Sequence, residues 1–287
     1  MTAALVIGEA LVDVVVHPGG AAPTAHPGGS PANVAVGLAR LGVPTTLHSD
    51  YGSDEHGRSI ATHLAASGVA TTPSTVGDRP TSLATARIAA DGAATYEFAV
   101  TWDPAPVEAR GYAVVHTGSI GAALEPGAST VEEALRGADG LVSFDPNIRP
   151  ALMPERAVAL SRVERLVALA DVVKASDEDV AWLYPDLAVA DVLERWAALG
   201  PRLVVVTRGG AGADAVGPAG PLRVEAPRTT VADTIGAGDS FMAGLLADLL
   251  ERGFDDPAAT LRFAARCAAI TVARPGADPP RRAELAG

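Results

Sequence analysis

The sequence contains a single cysteine, Cys267, and a single lysine, Lys174. One thiol cannot close an internal disulfide, so a secreted disulfide scaffold is excluded and a reducing, cytoplasmic setting is expected. Cys267 lies in the apolar pattern of residues 263–270 and is expected to be buried and unreactive. One lysine leaves one candidate for a P-loop, and Lys174 does not stand in a G-x-x-x-x-G-K-S/T string, which rules out that phosphate-binding device. No run of about 18 uncharged apolar residues occurs, so no membrane span and no membrane partner are expected. The six histidines show no metal-ligand spacing, and His116, within an apolar run, reads as structural. Residues 1–16 lack a basic segment and carry Glu9 and Asp13, which makes them a first strand and not a signal peptide.

What is present is a globular composition. Of 287 residues, 48% are apolar and 20% charged, enough to bury a substantial core as one large domain or two smaller ones. The 34 acidic side chains outnumber the 22 basic ones, for a formal charge of −12. That balance argues against a nucleic-acid partner, whose backbone is held by Lys and Arg. It does not exclude a small phosphate ligand, because backbone N–H groups at a helix N-terminus can hold one whatever the net charge.

Apolar runs of strand length alternate with segments of helical period, which predicts an α/β fold with a mostly parallel sheet. Strands are predicted over 5–8, 46–49, 113–117, 140–145, 171–174 and 203–207. Helices are predicted over 31–41, 54–67, 130–138, 155–170, 177–183, 189–199, 237–252 and 258–273. One region breaks the rhythm: β-rich runs at 81–90 and 94–100 are joined by Asp91-Gly92, a hairpin signal. With residues 11–16 they are expected to form a small antiparallel sheet, a lid made from approximately 11–18 and 79–102 within a single domain spanning 1–287. Residues 17–29 read as a loop.

The strongest chemical signal is the run from Asp233 through Thr234, Ile235, Gly236, Ala237 and Gly238 to Asp239. Gly236, Ala237 and Gly238 leave N–H groups uncovered where a helix begins, which suits a phosphoryl group. A carboxylate beside that phosphate gains nothing from binding an anion, so Asp239 reads as the acceptor of a proton from an attacking hydroxyl. A tight turn with an Asp favouring the helix dipole accounts for the short string equally well. Before the helix at 31–41 stand Gly28 and Gly29, and Asn33 lies one turn inside it, able to bond sugar hydroxyls; an ordinary loop-to-helix junction is the competing account. Asp13 is a carboxylate in an apolar run, suited to two hydroxyls of a polyol or to an exposed strand face. The glycines following Arg208 lack the third glycine and the helix of a dinucleotide fingerprint.

The segments GGSPANVAVGLARLG and DTIGAGDSFMAGLL resemble the two signature regions of the ribokinase-like (PfkB) carbohydrate kinase family. The similarity extends over essentially the whole chain, through VIGEALVDVV, YEFAVTWDPAP, HTGSI, SFDPNIRPALMP, VVKASDEDVAWL and VTRGGAGA, and is nearest to fructokinases. It implies a three-layer α/β/α sandwich with a mostly parallel central sheet and a small β-sheet lid. It also implies transfer of the γ-phosphate of ATP, with Mg2+, to a primary hydroxyl of a small sugar, fructose foremost.

By that resemblance Asp239 matches the catalytic base, and Gly236, Ala237 and Gly238 match the anion hole. Asp13, Gly28, Gly29 and Asn33 match sugar contacts, with specificity expected from the lid residues Arg87, Tyr96 and Phe98. Asp145, Asn147 and Arg149 resemble an Asp-x-Asn-x-Arg phrase whose arginine approaches phosphates or substrate. Ser176 and Asp179 stand where the family carries Asn-x-x-Glu, which helps to order magnesium and phosphates; Thr207, Arg208, Gly209 and Gly212 fall along the nucleotide site. Asp233, Ile235, Thr271, Arg274 and Gly276 match a monovalent-cation site, formed mostly by carbonyls and suited to K+, with Pro280 where the family often has Ser. A 2-keto-3-deoxygluconate kinase, a ribokinase-like kinase of another sugar and a non-catalytic sugar-binding regulator remain open, as do a homodimer through the lid and a monomer.

Overall fold

The computed structural model describes residues 3–17, 22–89 and 94–285, and the Asp91-Gly92 turn lies outside them. The chain begins with β1 (Ala4–Ile7), β2 (Leu11–Val16), β3 (Thr24–Gly28), α1 (Ser30–Arg40), β4 (Thr45–His48), β5 (Tyr51–Gly52) and α2 (Glu55–Ala66). It continues through β6 (Ala70–Thr71), β7 (Val76–Gly77), β8 (Leu83–Ile88), β9 (Ala94–Ala99), β10 (Val114–Gly118), α3 (Ser119–Ala123), α4 (Gly127–Gly137) and β11 (Leu141–Asp145). Next come α5 (Arg156–Val167), β12 (Val172–Ser176), α6 (Asp177–Leu183), α7 (Val189–Ala197) and β13 (Leu203–Thr207). The hairpin β14 (Ala213–Gly217) and β15 (Gly220–Val224) precedes the long helices α8 (Ala237–Arg252) and α9 (Pro257–Val272).

Nine strands make one sheet in the order β15-β14-β13-β12-β11-β10-β1-β4-β6. Neighbours from β6 to β13 run parallel, and the closing hairpin is antiparallel. β1 is buried along its whole length, as a strand covered on both faces must be. Its Ala4 and Val6 join a core shared with α1, α8 and α9, while Leu5 and Ile7 join a second core with α4 to α7. The result is a three-layer α/β/α sandwich. No helix among the described residues is long and apolar enough to cross a membrane. Cys267 is fully buried in the α8 side of the core, and burial pushes its thiol up to about 12.

A second sheet, in the order β3-β2-β8-β9, stands off the first. β3 lies antiparallel to β2 and β9 antiparallel to β8, while the central pair β2 and β8 runs parallel. Residues 24–28, read from sequence as loop, are strand β3. Its sequence, Thr-Ala-His-Pro-Gly, has no apolar alternation, and its Pro27 is tolerated because the strand lies at an edge. The lid is clamped at its entry by Asp54, which caps α2 through the Gly57 N–H and accepts both the N–H and the hydroxyl of Thr81. Those donors hold the Asp54 carboxyl down at about 2.

Candidate active site

Two helices bring the distant motifs together. A Cβ at Gly37 of α1 would lie 2.6 Å from the Ala243 Cβ of α8, so only glycine lets the two backbones approach so closely. Asn33 stands about one turn before Gly37, and Asp239 about one turn before Ala243, so the same packing contact delivers both polar side chains to one place. Asn33 Nδ2 donates to Asp239 Oδ2 at 2.8 Å. Ser30 Oγ donates to Asp239 Oδ1 at 2.7 Å. Sequence reasoning passed over Ser30; its place three residues before Asn33, on the same helix face, is the signal that could have found it.

The mouth of α8 is shaped by Gly236, whose φ of 73° is left-handed and whose Cβ position lies 2.6 Å from the Ala277 Cβ. Ser240 N–H makes the first full helical bond, to Gly236 O at 2.9 Å. The N–H groups of Gly238 and Asp239 precede that bond and stand at the positive end of a 16-residue helix, a place for an anion. Asp239 itself is only 8% exposed.

Behind this mouth lie the C-terminal ends of β11 and β12. Lys174 Nζ lies 2.7 Å from Asp145 Oδ2, with both side chains buried. Burial pushes the Asp145 carboxyl up to about 6, against the pull of Lys174. Burial also opposes the charge on Lys174, but Asp145, Asp179 and Asp239 outweigh it and leave the ammonium above its ordinary value. Asp179 Oδ1 accepts the Ile148 N–H at 2.7 Å, and its Oδ2 accepts the Ser176 N–H at 2.8 Å while Ser176 Oγ accepts the Asp179 N–H, a capping box on α6. Arg149 extends from the same loop and donates to Asn147 Oδ1 at 2.7 Å. His116 shares a hydrogen bond with Ser143 and is held neutral by burial, its pKa lowered to about 3.

Asp13 lies mid-strand in the lid, and the charged groups that face it are Arg149, His26 and Asp239. Asp13 is in register with Ala84, and Ala84 with Phe98, so Phe98 shares its face of the sheet. Arg87 is an odd number of residues from Ala84, and strand alternation puts it on the opposite face, where it pairs with Glu97 at 3.2 Å. Arg87, expected among the specificity residues, therefore stands on the face of the sheet away from Asp13; the register that decides this is set by strand pairing, which composition does not reveal. The Tyr96 side chain lies outside the described residues. Gly28 and Gly29 lead from β3 into α1, beside Asp13 and Ser30.

At the other end of the crevice Ser176 and Thr207 face each other in register at neighbouring strand ends, with Gly209 and Gly212 in the turn that follows. Arg208 is tied to Asp214 at 3.0 Å. Asp233 accepts N–H groups from Ile235 at 3.0 Å and Gly276 at 2.8 Å, which draws two loops together and lowers its pKa. Thr271 reaches Ser240 at 2.8 Å, next to Asp239 in the chain. The Arg274 guanidinium turns away to Asp278 and Glu284, leaving its backbone near the loop. Among the described residues no three His, Cys, Asp or Glu side chains converge as a metal cage.

A helix N-terminus suited to an anion, a carboxylate beside it and a nearby small sheet carrying Asp13 are parts that could serve to move a phosphoryl group to a hydroxyl. The sequence pattern of pfkB family carbohydrate kinases matches residues 1–283. A fructokinase of Salmonella typhimurium is 36% identical over 292 residues, covering 95% of this chain and 94% of that protein. The crystal structure of an aminoimidazole riboside kinase from Salmonella enterica, complexed with aminoimidazole riboside and an ATP analog, superposes with a TM-score of 0.86 at 28% identity, over 98% of this chain and 97% of that one. A double mutant of a Vibrio cholerae O395 fructokinase, with fructose, ADP and potassium ion bound, gives 0.85 at 29% identity, over 99% and 97%.

Proposed function

This chain belongs to the pfkB family of carbohydrate kinases, phosphotransferases acting on a sugar hydroxyl, and on that premise we propose that it transfers the γ-phosphoryl group of ATP to a primary hydroxyl of fructose. The observation that carries the reading is the meeting of Asp239 with Asn33 and Ser30 at the mouth of α8, which sets a proton acceptor where sugar and phosphate sites adjoin. Asp13, Asn33, Phe98 and the Gly28-Gly29 backbone hold the sugar under the lid. Ser30 and Asn33 keep the Asp239 carboxylate in one orientation. As the sugar oxygen forms its bond to phosphorus, the bond to the bridging oxygen of ADP breaks, and the hydroxyl proton passes to Asp239. The N–H groups of Gly238 and Asp239 face the charge on the transferring group, whereas the Ala237 N–H, expected to join them, donates to the Thr234 carbonyl at 3.3 Å; Arg149 approaches from the β11 loop. Proton acceptance contributes about 10²–10⁴-fold, with positioning and electrostatics supplying most of the rest.

Magnesium bound with the nucleotide neutralises phosphate charge. The residues suit an ion that keeps its waters: Asp145 Oδ1 has no protein donor, whereas both Asp179 oxygens are committed to backbone N–H groups. Ser176, Thr207, Gly209 and Gly212 flank the nucleotide. Backbone oxygens of Asp233, Ile235, Thr271, Arg274 and Gly276 suit a potassium ion, in keeping with the ion in the Vibrio cholerae structure. A single domain working in the cytoplasm accords with one continuous α/β rhythm and one buried thiol.

The likeness to a riboside kinase supports a second reading, phosphorylation of a ribosyl hydroxyl. A coupled ADP-release screen over fructose, ribose, tagatose, 2-keto-3-deoxygluconate, inositol and nucleosides separates the two. Highest kcat/KM on fructose is expected; preference for a nucleoside favours the second reading, and no ADP with any sugar returns the non-catalytic one.

A further inference from the structure

The sequence assigned no task to Lys174, yet it lies buried beside the mouth of α8. From β12 its Nζ reaches two other elements, β11 and α8. It is paired with Asp145 at the end of β11, it donates to the Gly238 carbonyl at 3.4 Å, and it lies 3.0 Å from where a Gly238 Cβ would stand. The side chain is 4% exposed and Asp145 is fully buried. The charged groups facing it are Asp145 from β11, Asp179 from α6 and Asp239 from α8, with neutral His116 of β10 nearby.

The Gly238 carbonyl belongs to the same planar peptide as the Asp239 N–H. An ammonium that grips the oxygen therefore sets the direction of the N–H at the other side of that plane, and with it the start of the Asp239 side chain. It also brings one positive charge into a buried crevice of carboxylates that has to receive a phosphoryl group. A buried ion pair is weak evidence for stability alone, since desolvation offsets much of the attraction.

We propose that Lys174, locked by Asp145, is a positioning residue for phosphoryl transfer: it fixes the Gly238–Asp239 peptide, so that the helix mouth and the proton acceptor keep one geometry. The inference rests on the kinase reading given above. It differs from a purely structural role in one respect, because the ion pair can be deleted as a unit while the grip on Gly238 is lost.

The test compares Lys174→Met with the double variant Asp145→Asn/Lys174→Met, using ATP, magnesium and the best sugar. Lys174→Met is expected to lower kcat about 10- to 100-fold with the sugar KM within about threefold, the scale of a misplaced transition-state donor. The double variant, which removes Asp145 together with its partner, is expected to melt nearer the wild type than the single variant does and not to regain the wild-type kcat. Recovery of kcat in the double variant, or kcat within threefold of wild type in the single one, overturns the proposal. Should the wild type release no ADP with any sugar, the kinase reading fails, and hydrogen exchange over residues 236–246 still decides this one. Faster exchange at Met242, whose helical acceptor is the Gly238 carbonyl, in the folded double variant supports positioning, and unchanged exchange overturns it.

Discussion

Asn33 and Asp239 lie 206 positions apart in sequence and 2.8 Å apart in space, joined Nδ2 to Oδ2. The bond links α1, which follows β3, to α8, at whose mouth we place the phosphate. Because the two side chains also sit one turn from the Gly37 and Ala243 contact, the distance between them is governed by backbone packing and not by loop conformation.

Asn33→Ala removes a charge-assisted bond of about 1.5–3 kcal/mol, so kcat/KM for the sugar should fall about 10- to 100-fold. The sugar KM should rise more than the ATP KM in steady-state assays. Equal effects on both would remove Asn33 from the sugar side.

Asp239→Asn keeps the shape of the side chain and removes its capacity to take a proton. Its kcat should fall at least about 10²-fold while ATP binding, read by calorimetry, stays within a few-fold. Turnover within tenfold of wild type would sink the assignment of the base.

Gly37→Ala drives a methyl group into Ala243 across the α1–α8 contact. Overpacking of this kind costs about 1–3 kcal/mol, at about 2–4 °C of melting temperature per kcal/mol. The kcat should fall with it, because the shift is transmitted to Asn33 and Asp239. Gly137→Ala, in open space at the end of α4, is the control and should leave both unchanged. A stable, fully active Gly37→Ala would show that the site does not depend on this crossing.

Glu9 connects β1 to the lid and is 3% exposed, its Oε2 accepting the Gly121 N–H at 2.8 Å. Burial pushes its carboxyl up to about 7 from 4.5. The folded state thus binds this proton more tightly than the unfolded chain, and between those values Glu9 lowers stability as pH rises, by up to about 1.4 kcal/mol per unit. Glu9→Gln, uncharged throughout, should flatten the melting-temperature profile from pH 4.5 to 7. Parallel profiles for the two proteins would contradict the burial argument.

The layered fold was legible because its signals are periodic. The helices over 177–183 and 237–252 and the strand over 203–207 are observed with the bounds read from sequence. The gathering of Asp239, Asn33 and Asp13 came from motif resemblance, since nothing in local composition brings residues so far apart together. What stayed hidden depends on pairing or depth. β3 exists because β2 offers it an edge, Arg87 points away because of a register, and Ser30 looks like a helix start. Lys174 reads as one polar residue in an apolar strand until Asp145 is seen beside it.

That lysine is also the chain's only one, and it is buried. The folded surface therefore presents no side-chain amine to acylating or cross-linking reagents. A reagent of that kind can modify Lys174 only when β12 and the mouth of α8 part, so the rate of labelling at Lys174 itself measures how often these two elements separate.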